Sequence, residues 1–431
     1  MINGKQYLKI IGGNSLSGKV FISGSKNSIS AIIPALCLVN DKGASVIYNV
    51  PNITDVDTIC NIISEVGKTV EKGDNFIRVS GTVKNSVLSS DNVSKIRASS
   101  LFIGALLSAA GEACVPFCGG DKIGDRPLDI HFYVLEKFKI KTEIENGVIH
   151  CKATQFPFEA QTIFLRYPSV GATENAIMLA VKARGTSYIY NAAMEPEVTD
   201  MATILNKMGA NITGAGTPII KIKGVGKINS TQYDIIPDRL EVGTFLIAFS
   251  CTKGEGVILN AIPEHCMSTI STLRDCGVDI EYKGKSIYVN ARKSKLTSIN
   301  VNAMPYPGIP TDLQPLFTLL STQCNGDSLI SDSVHKERFS YISEFRKLGV
   351  RLQHIYDHVI VKGVQNLSGG TVVGEDIRSV TTLVLAGLIA KDETIVYGLE
   401  HLNRGYERFV EKLASIGANI SICADACPIM A

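Results

Sequence analysis

The sequence predicts an α/β protein with mixed sheets, built from six repeats gathered three and three into two domains. Three observations predict it. A helix-stop pattern recurs along the chain, and a second pattern, polar then apolar with helical spacing, recurs between its copies. The sixth repeat is cut short, while two strands stand alone at the N-terminus.

In the first pattern an apolar residue is followed by Gly, two residues and often an apolar one. It occurs at Val66-Gly67-Lys68-Thr69-Val70, Met208-Gly209-Ala210-Asn211-Ile212, Cys276-Gly277-Val278-Asp279-Ile280, Leu348-Gly349-Val350-Arg351-Leu352 and Ile416-Gly417-Ala418-Asn419-Ile420. A degenerate copy, Phe138-Lys139-Ile140-Lys141, fills the one gap. Positions 67, 139, 209, 277, 349 and 417 are 72, 70, 68, 72 and 68 residues apart. A fixed period over the chain is the mark of repeated supersecondary units. Gly after the last helical residue is the usual left-handed stop. The stretch after each copy alternates apolar and polar, as in Ile280-Glu281-Tyr282 and Ser286-Ile287-Tyr288-Val289 around Lys283-Gly284-Lys285, which reads as a hairpin.

The second pattern starts at Lys26-Asn27-Ser28-Ile29, Arg97-Ala98-Ser99-Ser100, Ser169-Val170-Gly171-Ala172-Thr173, Asp238-Arg239-Leu240-Glu241, Thr311-Asp312-Leu313-Gln314 and Arg378-Ser379-Val380-Thr381. Each copy runs into a short strand, such as Ser45–Tyr48, Ser187–Tyr190 or Val257–Asn260. A repeat is therefore a β–α–β–α–β assembly. After Ile420-Ser421-Ile422 only residues 423–431 remain, and the strand pair at 7–11 and 20–23 is expected to complete the sixth repeat as a hairpin. The expected domains are 25–235, carrying a mobile loop at about 117–127, and 1–24 plus 236–431.

Composition narrows the class. The chain has 431 residues, 43 Lys+Arg against 41 Asp+Glu, a net charge of +2, and 45% hydrophobic and 19% charged residues. That is ample core material, and bulk charge does not suggest nucleic acid or a membrane surface as partner. Eleven cysteines are scattered without a zinc or Cys-x-x-Cys spacing, as expected of free thiols in a reducing, cytoplasmic setting. No apolar run reaches 18 residues, and the first residues lack an apolar leader. No obligate protein partner is evident.

Helix N-termini favour anions, and here several carry cations: Lys26, Arg97, Arg239 and Arg378. Loops add Lys122, Arg126, Arg338 and Arg404. An anionic ligand between two such domains is the functional expectation. Other patterns are decoys. Gly13-Asn14-Ser15-Leu16-Ser17-Gly18-Lys19 has phosphate-loop spacing, but Val20 stands where Ser or Thr should hold magnesium, and no helix follows. His354 and His358 flank a predicted turn, which favours a solvated hairpin over a metal site.

The motifs Gly24-Ser25-Lys26-Asn27, Arg97-Ala98-Ser99, Gly119-Gly120-Asp121 through Arg126-Pro127, Ser169-Val170-Gly171-Ala172-Thr173, Pro310-Thr311-Asp312-Leu313-Gln314 and Arg404-Gly405-Tyr406-Glu407-Arg408 follow one another in this order. Together they resemble the enolpyruvyl transferases, and within them the branch acting on UDP-N-acetylglucosamine in peptidoglycan synthesis. The resemblance spans almost the whole chain. It implies two inverse α/β barrels closing on substrate about pseudo-threefold axes. It also implies transfer of the enolpyruvyl group of phosphoenolpyruvate to a sugar 3-hydroxyl through a tetrahedral intermediate, with no metal or organic cofactor. A sister activity on shikimate 3-phosphate or another nucleotide, and a non-catalytic UDP-sugar binder, are the alternatives.

By the same resemblance, Lys26, Arg97, Arg126, Arg338, Arg378 and Arg404 bind the phosphate and carboxylate of phosphoenolpyruvate. Asn27, Arg97, Arg126, Pro127, Leu128, Asp129, Ile130, Ser169, Val170, Gly171, Asp312 and Val334 hold the UDP-sugar. Asp121, Asp312, Lys26 and Arg404 carry the chemistry, with Asp312 as general base. Asp238 and Glu241 are read as hinge supports, with a helix cap as the competing reading for Asp238. Asp121 stands where most relatives have a loop Cys, the position that is linked to proton delivery and to alkylation by fosfomycin. Asp121 is therefore expected to be the general acid of a fosfomycin-resistant enzyme. Its reference pKa of about 3.9 must rise for that role, which bound phosphoenolpyruvate would promote. Cys118, just before Gly119-Gly120, is expected to be a packed thiol.

Overall fold

A computed structural model describes residues 6–121 and 123–424. The chain divides into two compact units. The first holds residues 24–121 and 126–236; the second holds 6–23, 123–125 and 237–424 among the described residues. Each has its own core, one drawn from residues between Ile29 and Ile235, the other from Leu8 to Ile22 and Leu240 to Ala418.

Both units are built by the same rule. In the first, helices Lys26–Ala35, Leu101–Ala110 and Val170–Lys182 are buried on nearly every side. In the second, Arg239–Cys251, Gln314–Ser321 and Ile377–Ile389 are buried likewise. A helix apolar all round has to be enclosed, and three sheets per unit enclose each trio. Five sheets share one order: a strand parallel to its neighbour, then three antiparallel strands. An example is Thr162–Phe164 parallel to Thr186–Tyr190, which pairs antiparallel with Ile219–Lys223 and then Asn211–Thr213. The sixth sheet keeps the pattern with a single parallel bridge, Val87 to Cys114, in place of the first strand. Parallel neighbours need a crossover, and in four of the six sheets a central helix is that crossover, whereas Gln232–Asp234 with Ala44–Tyr48 and Ser17–Phe21 with Glu255–Leu259 are joined by much longer stretches of chain. Strands such as Ile219–Lys223 alternate buried and exposed residues, so one face of the sheet meets the helices and the other meets water.

The N-terminal strands do not form a hairpin with each other. Gln6–Ile11 lies between Glu393–Tyr397 and Asn419–Ala424, completing the sixth repeat, whereas Ser17–Phe21 lies parallel to Glu255–Leu259 and opens the fourth. Gln6–Ile11 is paired on both sides, whereas Ser17–Phe21 lies at the edge of its sheet and is paired on one side. The sequence reading also missed Gln232–Asp234, a three-residue strand parallel to Ala44–Tyr48 that opens the first repeat.

The outer helices, among them Pro196–Lys207 and Met267–Asp275, stop where the period places them. Gly67, Gly209, Gly277, Gly349 and Gly417 all have positive φ, and so does Lys139, at 56°. The degenerate copy thus keeps the left-handed stop without the residue that adopts it freely. A Cβ on Gly209 would meet nothing closer than 3.5 Å, so substitution there tests backbone conformation alone. Gly209→Ala is expected to lower Tm, reflecting strain of about 1 kcal/mol. Lys139→Gly is expected to raise Tm or leave it unchanged, and thermal melting of both variants checks the opposite signs.

Candidate functional site

In the second unit the helix starts converge through a continuous hydrogen-bonded chain centred on Asp312, in the single turn Thr311–Leu313 ahead of Gln314–Ser321. Its Oδ1 accepts from Arg338 Nη1 at 2.6 Å and its Oδ2 from Arg378 Nη2 at 3.0 Å. Both arginine side chains are almost fully buried, at 4% and 5% exposure, while Asp312 keeps 24%. Buried guanidinium groups have to be paired, and Asp312 pairs both while presenting the exposed edge.

The chain continues on both sides. Arg338 Nη1 also donates to Thr311 Oγ1 at 3.2 Å, and Thr311 donates to Asp332 Oδ2 at 2.5 Å. Asp332 Oδ1 accepts the backbone N–H groups of Val334 and His335 at 2.8 and 2.7 Å. Burial nevertheless pushes the Asp332 carboxyl upward. On the other side Arg378 Nη1 donates to the Tyr406 hydroxyl at 2.6 Å, and that hydroxyl lies 2.7 Å from Thr244 Oγ1. Burial works against the Arg378 charge, but Tyr406 and Asp312 hold it protonated well above the ordinary range. Asp376 fixes the start of this helix, capping Arg378 N and Ser379 N in a capping box. Arg404 sits near the end of Leu399–Gly405, partly buried.

Asp238 proves to be a helix cap, accepting from Leu240 N and Glu241 N at 2.7 and 3.1 Å. Glu241 lies in a buried cluster with Lys412 at 2.6 Å and Ser23 N at 2.8 Å. Burial pushes Glu241 up to about 7 against the pull of Lys412.

The first unit brings together a second set. Lys26 pairs with the buried Asp55 at 3.1 Å, and Asn27 Nδ2 donates to Glu197 Oε1 at 3.3 Å. Behind them burial, reinforced by Glu197 and Glu195, holds Glu174 well above the usual carboxylate range. Arg97 donates to Cys118 Sγ at 3.1 Å and to the carbonyls of Arg126 and Pro127. One guanidinium thereby anchors both ends of the segment that carries Asp121, itself half-buried. Gly119 makes that anchoring possible, since a Cβ there would fall 1.6 Å from Ser94 O. Asp129 opens helix Asp129–Lys137 and pairs with Arg166 at 2.8 Å in solvent, a weak contact. Leu128 is buried and Ile130 partly so. Ser169 caps the helix beginning at Val170, and a Cβ on Gly171 would fall 2.9 Å from His131 Cε1.

Asp55, Cys118, Glu197, Thr244, Thr311, Asp332 and Tyr406 therefore join these clusters without having been singled out for them in the sequence. Tyr406 and Thr311 stand inside motifs already noted; Asp332 and Thr244 have no local signal. The histidine pair behaves as a hairpin, with the two-residue turn between Leu352–Ile355 and His358–Val361. Among the described residues no group of His, Cys, Asp or Glu is arranged to hold a metal ion, and no helix is long and apolar enough to cross a membrane.

The family model for EPSP synthase (3-phosphoshikimate 1-carboxyvinyltransferase) matches residues 10–413. The chain belongs to the enolpyruvyl transferase family. It is 38% identical over 421 residues, 97% of this chain and 99% of the other, to the UDP-N-acetylglucosamine 1-carboxyvinyltransferase of Fervidobacterium nodosum. It is 41% identical over 412 residues, 95% of this chain and 98% of the other, to UDP-N-acetylglucosamine 1-carboxyvinyltransferase 3 of Caldanaerobacter subterraneus. Among solved structures it is similar to the enolpyruvyl transferase NikO from Streptomyces tendae, with a TM-score of 0.88 and 25% identity over 98% of this chain and all of that one. An EPSP synthase from Acinetobacter baumannii, at 16% identity and a TM-score of 0.73 over 97% of this chain and all of the other, shares the fold.

One titration is set by this geometry. His131 is buried beside Asn175 at 2.9 Å, and burial, with Arg97 nearby, lowers its pKa to about 4. The native state therefore keeps it neutral while the unfolded chain protonates near pH 6.5. His131 contributes stability that is complete above pH 6.5 and falls as the pH drops toward 4, by roughly 3 kcal/mol at about 1.4 kcal/mol per pH unit, while the raised carboxyls of Glu241 and Asp200 act with the opposite sign. Urea unfolding at pH 7 and pH 5 isolates this contribution: the change in stability from pH 7 to pH 5 should be about 2 kcal/mol less favourable in the parent protein than in His131→Gln.

Proposed function

We propose that the protein transfers the enolpyruvyl group of phosphoenolpyruvate to the 3-hydroxyl of UDP-N-acetylglucosamine, releasing phosphate, as the first committed step of peptidoglycan synthesis in the cytoplasm. The observation that carries this reading is Asp312, partly exposed and held between the buried Arg338 and Arg378, in a chain whose relatives at 38–41% identity are named for that acceptor. EPSP synthase structures are only 16–17% identical, which places the shikimate reading second.

The chemistry follows from where charge develops. Asp121 donates a proton to the methylene carbon of phosphoenolpyruvate, and the electron deficiency falls on the central carbon. The sugar hydroxyl attacks there while Asp312 takes its proton, within hydrogen-bond reach as a general base must be. The Asp121 carboxylate, having given up its proton, takes one back from the former methylene group as phosphate departs, which restores the double bond. Lys26, Arg97, Arg126, Arg338, Arg378 and Arg404 stabilise the carboxylate and phosphate throughout. They are effective because they are held in place before the reaction begins. In the acceptor site Asn27, Ser169, Gly171 and residues 127–130 orient the UDP-sugar, with Val334 beside it. No step calls for a metal or organic cofactor.

Phosphate release from phosphoenolpyruvate is expected with UDP-N-acetylglucosamine and not with shikimate 3-phosphate; the reverse result would overturn the reading. Asp312→Asn should lower turnover by about a hundredfold or more. The parent enzyme should keep its activity on incubation with fosfomycin. Asp121→Cys should gain time-dependent inactivation, read as a covalent mass increase, while Asp121→Asn loses turnover without gaining sensitivity.

A further inference from the structure

The hydroxyl of Tyr406 is buried where no substrate needs to reach it, yet its hydrogen bonds have a forced direction. Arg378 can only donate, so Tyr406 accepts at 2.6 Å. The Tyr406 proton must then go elsewhere: Thr244 Oγ1 lies 2.7 Å away, and the Thr381 hydroxyl, which donates to Ile377 O, is a second hydrogen-bond neighbour. Thr244 already gives its own proton to Leu240 O at 2.8 Å, which leaves a lone pair to accept from Tyr406. The result is a one-way relay from Arg378 to Tyr406, to Thr244 and to a helix backbone carbonyl. Burial pushes the Tyr406 hydroxyl above its ordinary range against the nearby Arg378, so the relay keeps its proton. The guanidinium carbon also lies 5.1 Å from the Tyr406 ring centroid. Asp312 takes the other terminal nitrogen of Arg378 at 3.0 Å. With both ends fixed, the guanidinium cannot rotate away from Asp312.

We infer that Tyr406, backed by Thr244, is a positioning residue that fixes the Arg378 guanidinium against Asp312 for binding the anionic groups of phosphoenolpyruvate. The role assigned to Arg378 rests on the function proposed above; the geometry of the relay does not. Tyr406→Phe keeps the ring and removes the acceptor. Thr244→Val keeps the shape and leaves Thr381 as the remaining acceptor for the Tyr406 proton, so its effect is small by itself and travels through Tyr406.

The test is a double-mutant cycle in phosphate release, joined to a crystal structure of Tyr406→Phe. Tyr406→Phe is expected to lower kcat/KM for phosphoenolpyruvate about tenfold or more, as loss of a hydrogen bond to a charged group does, with KM for the UDP-sugar unchanged. Thr244→Val should lower it about threefold, and the double variant should be no worse than Tyr406→Phe alone. In the crystal, Arg378 Nη2 should move beyond about 4 Å from Asp312 Oδ2. The inference is overturned if Tyr406→Phe stays within twofold of the parent, or if the Thr244→Val effect adds in full. If Tyr406→Phe does not fold, the Thr244→Val, Thr381→Val double variant decides: a loss confined to phosphoenolpyruvate supports the relay, and no loss overturns it. A parent enzyme silent with UDP-N-acetylglucosamine would sink the proposed function instead. The crystal then decides here, and a guanidinium still 3.0 Å from Asp312 overturns the inference.

Discussion

Two guanidinium groups buried in one small region can be kept only if something neutralises them, and in the second unit that constraint falls on Asp312. Breaking a buried pair by removing one partner costs far more than the pair itself contributes, so much else is arranged around these contacts. The arginines come from different repeats, and each repeat must place its helix start or loop where Asp312 can reach it. Thr311 and Tyr406 then occupy remaining N–H donors, so both guanidinium groups are tied into protein on either side of the carboxylate. Stability and chemistry draw on the same atoms here: the side chains that satisfy one another also hold charge ready for a ligand.

The first unit handles charge differently. Lys26 meets Asp55, but Glu174, Glu195, Glu197 and Asp200 gather under low exposure and raise one another's carboxyls. Asp200 is pushed up to about 6 by burial, although Tyr233 donates to it at 2.5 Å. Carboxyls in such a place escape part of the desolvation cost by holding protons. The near-neutral charge of the whole chain therefore averages a region dense in arginine with one dense in acids.

Much of this was legible in the sequence, for a physical reason. A helix end needs a residue tolerant of positive φ, so the period of the repeats is written in glycine and survives even at Lys139. Helix starts need caps and helix bodies need apolar residues, which made the six central helices visible. What the sequence hid was pairing over long distances. Nothing local to residues 6–21 says that two adjacent strands join different sheets, and three residues at 232–234 are too few to announce a strand. The site shows the same limit. Motifs exposed Asp312 and Arg378, whereas Thr244 matters only because folding brings it to Tyr406.

The placement of the N-terminal strands bears on how the chain is made. The sheets of the first unit find all their strands between residues 44 and 234, so this unit can close as soon as its own stretch has left the ribosome. Ser17–Phe21 has to wait for Glu255–Leu259, and Gln6–Ile11 for strands ending at Ala424. Strands synthesised ahead of the first unit are paired only after it, held open while a finished neighbour folds behind them. Unpaired strand edges are templates for wrong partners, which makes the interval before the last repeat emerges the vulnerable stage of biosynthesis.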